Sequence, residues 1–244
     1  MPISGAVTQT TGAKPSALGL RGVRLLAGIP VEALAELAQQ CRWRRFPAAQ
    51  RVTSRQSQDR DVYLIVSGKV RITAYSAAGR QVTYRDVGAG DWFGDLAAID
   101  GLSRSADVDT LEDTVLASIT PTLFLRLLHE HPAVCDRILN RLVTLVRDLT
   151  ERVFDFSTLG VQNRVHAELL RLARQAGVQG NTARIDPAPK HSDIASKVST
   201  YREQVTRELS AMVKQGLLQR SDRALVIPDI DRLERIVAEV RRSA

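Results

Sequence analysis

The stretch Phe93–Ala106, FGDLAAIDGLSRSA, carries the reading on which the rest of this chain turns. It opens on Gly94-Asp95 and closes on Arg104-Ser105-Ala106. Glycine admits positive φ and lets backbone N–H groups approach a ligand closely. Successive N–H groups of that kind form an anion-binding concavity. Arg104 adds a planar guanidinium fork suited to phosphate oxygens, and Ser105 adds a hydroxyl donor. Asp95 is suited to accept hydrogen bonds from sugar hydroxyls. The set fits one sugar phosphate. A plain turn with an exposed arginine has the same composition; the preceding Asp91-Trp92-Phe93 and the surrounding strand pattern favour the ligand site.

Outward from this stretch, Trp43 to about Ile119 reads as short strands and turns. Tyr63 and Ile65, then Val70, Ile72 and Ala74, alternate around Gly68, and Val82 and Tyr84 alternate further on. Ala78-Gly79 and Gly88-Ala89-Gly90 mark turns, and Val108, Val115, Leu116 and Ile119 close the series. Many short strands with regular turns indicate a sandwich or barrel. Upstream, residues 1–22 are rich in Gly, Ser, Thr, Ala and Pro and read as a mobile tail. Leu25 to Gln40 carries the apolar spacing of one or two short helices, with Pro30 suited to the first turn of the second.

Downstream, Pro121 starts a short helix through Leu128, and His131-Pro132 breaks it. A long helix follows from Ala133 to about Phe156. Leu139, Leu142, Val146, Leu149, Val153 and Phe156 alternate spacings of three and four, which makes a coiled-coil seam. Cys135, Ile138 and Leu145 widen the stripe, which suits a helix that faces both its own domain and a partner helix; a helix buried wholly in its own chain is the alternative. Ser157-Thr158-Leu159-Gly160 reads as a hinge in which Ser or Thr caps the next helix. Val161 to Ala176 is amphipathic, and Gly177 to Pro189 reads as a polar loop.

The segment from Lys190 to Leu218, KHSDIASKVSTYREQVTRELSAMVKQGLL, reads as two helices across a tight turn. Ile194, Ala195 and Val198 face inward from the first. Val205, Leu209 and Met212 do so from the second, which runs from Thr200 to Val213 and leaves Tyr201, Arg202, Gln204, Thr206, Arg207 and Ser210 outside. Arg220 to Pro228 suggests a short hairpin with Arg223 near its tip, and Asp231 to Val240 a terminal helix.

The Phe93–Ala106 stretch resembles the phosphate-binding cassette of cyclic-nucleotide-binding domains, and the Lys190–Leu218 segment resembles a helix-turn-helix. Their order resembles the cyclic-AMP receptor protein and Fnr superfamily of bacterial transcription regulators, over roughly residues 23 to 240. The resemblance implies an α+β chain: an N-terminal eight-stranded β-roll of jelly-roll character, a long dimerisation helix, and a C-terminal winged helix-turn-helix. The expected limits are 1–22 for the tail, 23–130 for the nucleotide-binding domain, 131–157 for the dimerisation helix and 158–244 for the DNA-binding domain.

The same resemblance assigns Arg104 and Ser105 to the phosphate, and Phe93, Gly94, Leu96, Ala97 and Ala106 to the backbone turn around it. Asp95 falls where the family usually has a glutamate on the ribose 2′-hydroxyl, one methylene longer. Leu149 and Thr150 fall where a Thr-Ser pair on the long helix meets the base. Cyclic AMP is the expected ligand, with cyclic GMP as the alternative. Arg202, Glu203 and Arg207 match the family's base-reading residues: arginine can bond guanine O6 and N7 together, and glutamate can accept from cytosine N4. Lys197, Tyr201, Gln204 and Thr206 are expected at phosphates, and Arg223, near the tip of the wing, among the DNA contacts. Ser199 stands in the tight turn where the family often has glycine, and Lys190 where it often has a threonine cap, leaving Ser192 or the loop to cap. The implied partners are double-stranded DNA with a palindromic site, a second copy of the chain, and RNA polymerase if the protein is an activator.

The composition agrees. A net charge of +7, from 34 Lys and Arg against 27 Asp and Glu, suits an anionic partner. The two cysteines, Cys41 and Cys135, make neither a disulfide framework nor a four-cysteine iron–sulfur set. The four histidines, His129, His131, His166 and His191, fall outside the strand-rich region and read as surface or capping residues, so no metal is expected. No zinc cluster, nucleophile elbow or Walker lysine points to an enzyme. The N-terminus lacks a signal-peptide pattern and no apolar run is long enough to span a bilayer, so a cytoplasmic protein without membrane association is expected.

Overall fold

The computed structural model describes residues 14–77, 79 and 81–243. Two compact units emerge: one takes in residues up to Ala74 with Tyr84–Val143, the other Tyr75–Thr83 with Thr144–Ala244.

The first unit begins with α1 (Ala17–Arg21), capped by Ser16, whose Oγ accepts from the Gly19 N–H at 3.1 Å. Leu20 on this helix is fully buried, so the expected tail is corrected from Ala17 onward: an apolar residue recruits the segment into the core. Residues 1–13 of that expected tail lie outside the described residues. A 3-10 turn at Arg24–Leu26 and α2 (Val31–Gln40), with Pro30 at its N-cap, complete a helical layer. Leu20, Leu25, Leu34 and Leu37 from this layer pack with Trp43, Leu64, Phe124 and Ile138.

The roll itself consists of β1 (Arg42–Phe46), β2 (Arg51–Thr53), β3 (Val62–Ser67), β4 (Lys69–Tyr75), β5 (Gln81–Gly88), β6 (Trp92–Phe93), β7 (Asp107–Thr110) and β8 (Thr114–Ile119). They form two four-stranded sheets, ordered β1-β8-β3-β6 and β2-β7-β4-β5. Tyr63 and Ile65 of β3 point between the sheets, where they meet Phe46, Ile72, Phe93, Val108 and Leu116. Val62 and Leu64, on the other face, pack against the helical layer. A strand covered on both faces needs no polar side, which is why β3 reads VYLIV without clean alternation.

The pairing of β3 with β6 sets Tyr63 opposite Phe93 and Leu64 opposite Trp92. That register fixes where the chain leaves the sheet into α3 (Asp95–Asp100), which crosses the Phe93–Ala106 stretch. Next comes α4 (Pro121–Glu130), with Pro121 in its first turn and Thr120 Oγ1 accepting from the Leu123 N–H at 3.3 Å. The long helix α5 runs Pro132–Thr158, slightly beyond the expected ends.

In the second unit α6 spans Val161–Ala176. Its N-cap is Gly160 at φ −63° with no side-chain cap, so the expected Ser or Thr cap is not formed. Thr158 Oγ1 instead donates to Phe154 O within α5 at 2.9 Å. The expected polar loop after α6 is corrected to a hairpin, β9 (Val178–Gln179) and β10 (Thr182–Ile185), with Ala183 and Ile185 buried. Two well-spaced apolar residues sufficed for a strand that the surrounding polar residues concealed. Then come α7 (His191–Lys197), α8 (Arg202–Lys214), β11 (Gln219–Ser221), β12 (Ala224–Ile227) and α9 (Ile230–Ser243). The strands form one sheet, β11-β12-β10-β9. Ile194, Val205, Leu209, Met212, Leu218, Ile227 and Leu233 gather with Val165 and Leu169 in one core. The fold class is therefore α+β, as expected. Among the described residues no helix is long and apolar enough to cross a membrane.

Candidate ligand site and nucleic-acid interface

Gly94 leaves β6 in the left-handed region, at φ 92° and ψ 1°. A Cβ added there would stand 2.6 Å from Arg104 Nη1 and 2.7 Å from Asp61 O, so glycine is required both for the turn and for the approach of the arginine. Asp95 follows as the first residue of α3 and is buried. Ala97 and Ala106 are buried beside it, whereas Leu96 and Ser105 are exposed. Phe93 stacks on Tyr63, with ring centroids 4.9 Å apart and planes 8° from parallel.

Arg104 does not project to the surface. Its side chain is only 4% exposed and is threaded beneath the turn. Nη1 donates to Gly94 O at 3.1 Å, and Nη2 donates to Asp61 O at 2.8 Å and to Asp59 Oδ2 at 2.7 Å. The guanidinium lies 5.6 Å from the centre of the Tyr63 ring. Its Nε is buried without a hydrogen-bond partner. An unpaired buried donor is costly, and a phosphate oxygen at that edge would satisfy it. The residues present thus fit a phosphodiester.

Sequence reasoning missed the acidic side of this site. Asp59 accepts from the Tyr63 hydroxyl at 2.6 Å, from the Asp61 N–H at 2.9 Å and from Arg104. Burial raises its pKa, but these bonds outweigh burial and hold the carboxyl below its usual range, so it is ionised at neutral pH. Burial, followed by the Asp59 carboxylate, pushes the Asp61 carboxyl up, although the Ser118 hydroxyl donates to it at 3.1 Å. Burial and Asp59 also push the Tyr63 phenol up. The signal that could have found this group was Asp59-Arg60-Asp61, two carboxylates directly before a fully buried strand.

The second missed residue is Arg141 of α5. It packs 4.1 Å from the centre of a Trp92 ring and donates to Trp92 O at 2.6 Å. Its Nε stands 3.7 Å from Asp95 Oδ2, and its Nη1 stands 3.4 Å from Asp91 Oδ1. Burial, with Arg85 nearby, lowers its pKa to about 10, so it stays charged. Asp95 therefore faces a cation inside its own unit. Leu149 and Thr150 belong to the second unit and are exposed there, with Thr150 Oγ1 donating to Val146 O at 2.9 Å.

In the second unit the tight turn between α7 and α8 is made by Ser199 at φ 53°, a left-handed position where glycine would be unstrained. Tyr201 is the N-cap of α8, and its side chain gives no capping bond. Lys190 caps α7 by its backbone alone, so Ser192 does not serve as the expected cap. Val205, Leu209 and Met212 are fully buried, which turns Tyr201, Arg202, Glu203, Thr206 and Arg207 outward. A concavity lined by Val161, Ser199, Thr200, Tyr201, Glu203, Gln204 and Arg207 opens at this end of α8. Arg207 Nη2 donates to the Gln204 side chain, and Arg223 lies exposed between β11 and β12. Lys197 departs from expectation: it is buried, with Nζ 3.9 Å from Glu168 Oε1, because its position on α7 faces α6. His166 departs too. It is a core residue, 2.6 Å from Glu208 Oε1, rather than a surface or capping one.

With this geometry in place, comparison with known families is decisive. A family model for the cyclic nucleotide-binding domain matches residues 43–131, and one for the Crp-like helix-turn-helix domain matches residues 163–236. The chain belongs to the Crp/Fnr superfamily. With those two domains it is a DNA-binding transcription regulator. The CRP-like cAMP-activated global transcriptional regulator of Mycobacterium tuberculosis is 26% identical over 212 residues, spanning 86% of this chain and 95% of the relative. The cyclic AMP receptor protein of Thermus thermophilus is 26% identical over 217 residues, spanning 89% and 98%. Among solved structures, a CooA mutant from Carboxydothermus hydrogenoformans superposes with a TM-score of 0.75 at 19% identity, covering 95% of this chain and all of that one. That likeness concerns the fold.

Proposed function

We propose that this Crp/Fnr regulator is a homodimer whose DNA binding is controlled by a cyclic nucleotide, with cyclic AMP as first choice and cyclic GMP as alternative. The observation that carries the reading is Arg104: a buried guanidinium beneath a left-handed glycine, with an unsatisfied Nε. The two relatives described above are named for cyclic AMP, which supports the first choice. Phe93, Gly94, Asp95, Leu96, Ala97, Arg104, Ser105 and Ala106 line the proposed site. The proposed division of labour is sensing by residues 23–130, pairing by 131–157 and DNA reading by 158–244.

Ligand binding shifts the equilibrium between two arrangements of the protein only if the ligand binds one arrangement more tightly. In the DNA-binding arrangement, paired α8 helices enter successive major grooves about 34 Å apart, the spacing of helix-turn-helix dimers including the catabolite activator. Arg202, Glu203 and Arg207 read bases; Tyr201, Gln204, Thr206 and Arg223 contact phosphates. The operator is a palindrome, the site of action is the cytoplasm, and an activator of this kind meets RNA polymerase there.

A second reading is a regulator of the same fold that takes no cyclic nucleotide. The Asp59–Arg104 ion pair favours it, because the guanidinium already holds an anion. Calorimetry with cyclic AMP and cyclic GMP separates the two. The first reading expects saturable binding by the native protein, abolished by Arg104→Ala, and a nucleotide-dependent gain in operator affinity by fluorescence anisotropy. Operator binding indifferent to both nucleotides, with no heat of binding, selects the second.

A further inference from the structure

We propose that Asp59 is an internal competitor for the ligand phosphate, a carboxylate that holds Arg104 until a phosphodiester displaces it and so sets how much nucleotide the sensor needs. This rests on the cyclic-nucleotide reading above.

The pairing around Arg104 carries the argument. The carboxylates of Asp59, Asp61 and Asp95 each have a partner in the same unit, and a second guanidinium, that of Arg44, donates to the Tyr63 hydroxyl at 3.2 Å. Asp95 is attended by Arg141 at 3.7 Å, and Asp61 accepts from Ser118. Among the described residues, only Asp59 contacts the Arg104 guanidinium with its carboxylate, at 2.7 Å. A phosphodiester brings a further negative charge to the same cation. With Asp59 in place two anions share one guanidinium, so the incoming phosphate gains less than it would at a free arginine. With Asp59 withdrawn, the phosphate takes the whole charge.

The location of Asp59 suits withdrawal. It lies between β2 and β3, outside both strands, and its side chain is 33% exposed, whereas that of Arg104 is 4% exposed. The arginine is also fixed through Gly94 O and Asp61 O, bonds that do not involve the Asp59 carboxylate. Asp59 can therefore rotate toward water while the guanidinium stays in position. Against this, the Tyr63 hydroxyl and the Asp61 N–H hold the carboxylate inward. The ligand-free protein thus favours the paired state, and the nucleotide sees only the fraction of molecules in which the arginine is available.

The test compares the native protein with Asp59→Asn, Asp59→Glu and Tyr63→Phe, titrated with cyclic AMP, cyclic GMP and uncharged adenosine in the same calorimeter. Asp59→Asn is expected to bind the better cyclic nucleotide on the order of tenfold more tightly, because the paired state loses its charge. Asp59→Glu keeps the anion and is expected to stay near the native affinity. Adenosine, which offers nothing to Arg104, is expected to show no gain. Tyr63→Phe releases one hold on Asp59 and is expected to gain a few-fold; it serves if Asp59→Asn proves unable to fold, as judged by circular dichroism. Binding by Asp59→Asn alone, with none by the native chain, keeps Asp59 as the group that holds Arg104 but overturns the cyclic-nucleotide reading of the native protein. Native binding with an equal or weaker Asp59→Asn, or an equal gain for adenosine, overturns the competitor role and leaves the nucleotide reading intact. Binding by no form overturns both.

Discussion

At the residue scale, Gly94 and Arg104 form one device. The backbone at φ 92° admits the guanidinium under the turn, and the guanidinium ties the turn to Asp61 and Asp59. Gly94→Ala places a methyl group on Arg104 Nη1 and forces an L-residue into the left-handed region. The expected cost is about 1–3 kcal/mol of stability together with loss of nucleotide binding, read by thermal denaturation and calorimetry. A variant that melts with the native protein and binds normally would show that the turn tolerates a Cβ. Arg104→Ala is also not silent structurally. It strands Asp59 and two carbonyls, at about 2 kcal/mol, below the value for a wholly dry pair because Asp59 is partly wet. A lowered melting temperature should therefore accompany the loss of binding. That a turn glycine and an arginine ten residues on act together was legible in the sequence; that the arginine is buried against Asp59 was not, because its partner lies 45 residues away.

At the element scale, α8 shows how periodicity assigns faces. Val205, Leu209 and Met212 recur on one stripe, and their complete burial leaves Arg202, Glu203, Thr206 and Arg207 outside. Arg202→Ala is expected to cost about 1–3 kcal/mol at one guanine of the operator and to relax specificity there, measured by anisotropy on single-base variants of the site. A uniform loss over all variants would make Arg202 a phosphate contact. Lys197 marks the limit of the same reasoning. Its charge suggested a phosphate contact, but α7 is short and the residue lies on the side covered by α6 and Glu168. The hairpin β9–β10 shows another limit, since a four-residue strand with two buried positions gives too few repeats for a period to stand out.

At the scale of the whole molecule, the exposed apolar positions of α5 bear on assembly. Leu139, Val143, Val146, Leu149 and Val153 are all exposed, with Val146 at 62% and Val153 at 64%. On the homodimer reading this stripe is the seam where two copies of the helix meet. Val146→Glu with Val153→Glu is then expected to shift the protein from dimer to monomer in analytical ultracentrifugation and to weaken operator binding at least tenfold, since one half-site alone binds poorly. An unchanged sedimentation coefficient would place the dimer contact elsewhere.

By itself the sequence determined the order of the domains and most element types, α1 and the β9–β10 hairpin being the exceptions. Glycine placement, strand alternation and the spacing of apolar residues along helices are local properties, set by backbone sterics and by which side of an element meets water. The tertiary structure alone decided which charges neutralise each other. Asp59 against Arg104, Arg141 against Asp95 and Lys197 against Glu168 all join separate segments of the chain. A charge removed from water must find whichever partner the packing brings within a few ångströms, and the linear chain does not record that distance.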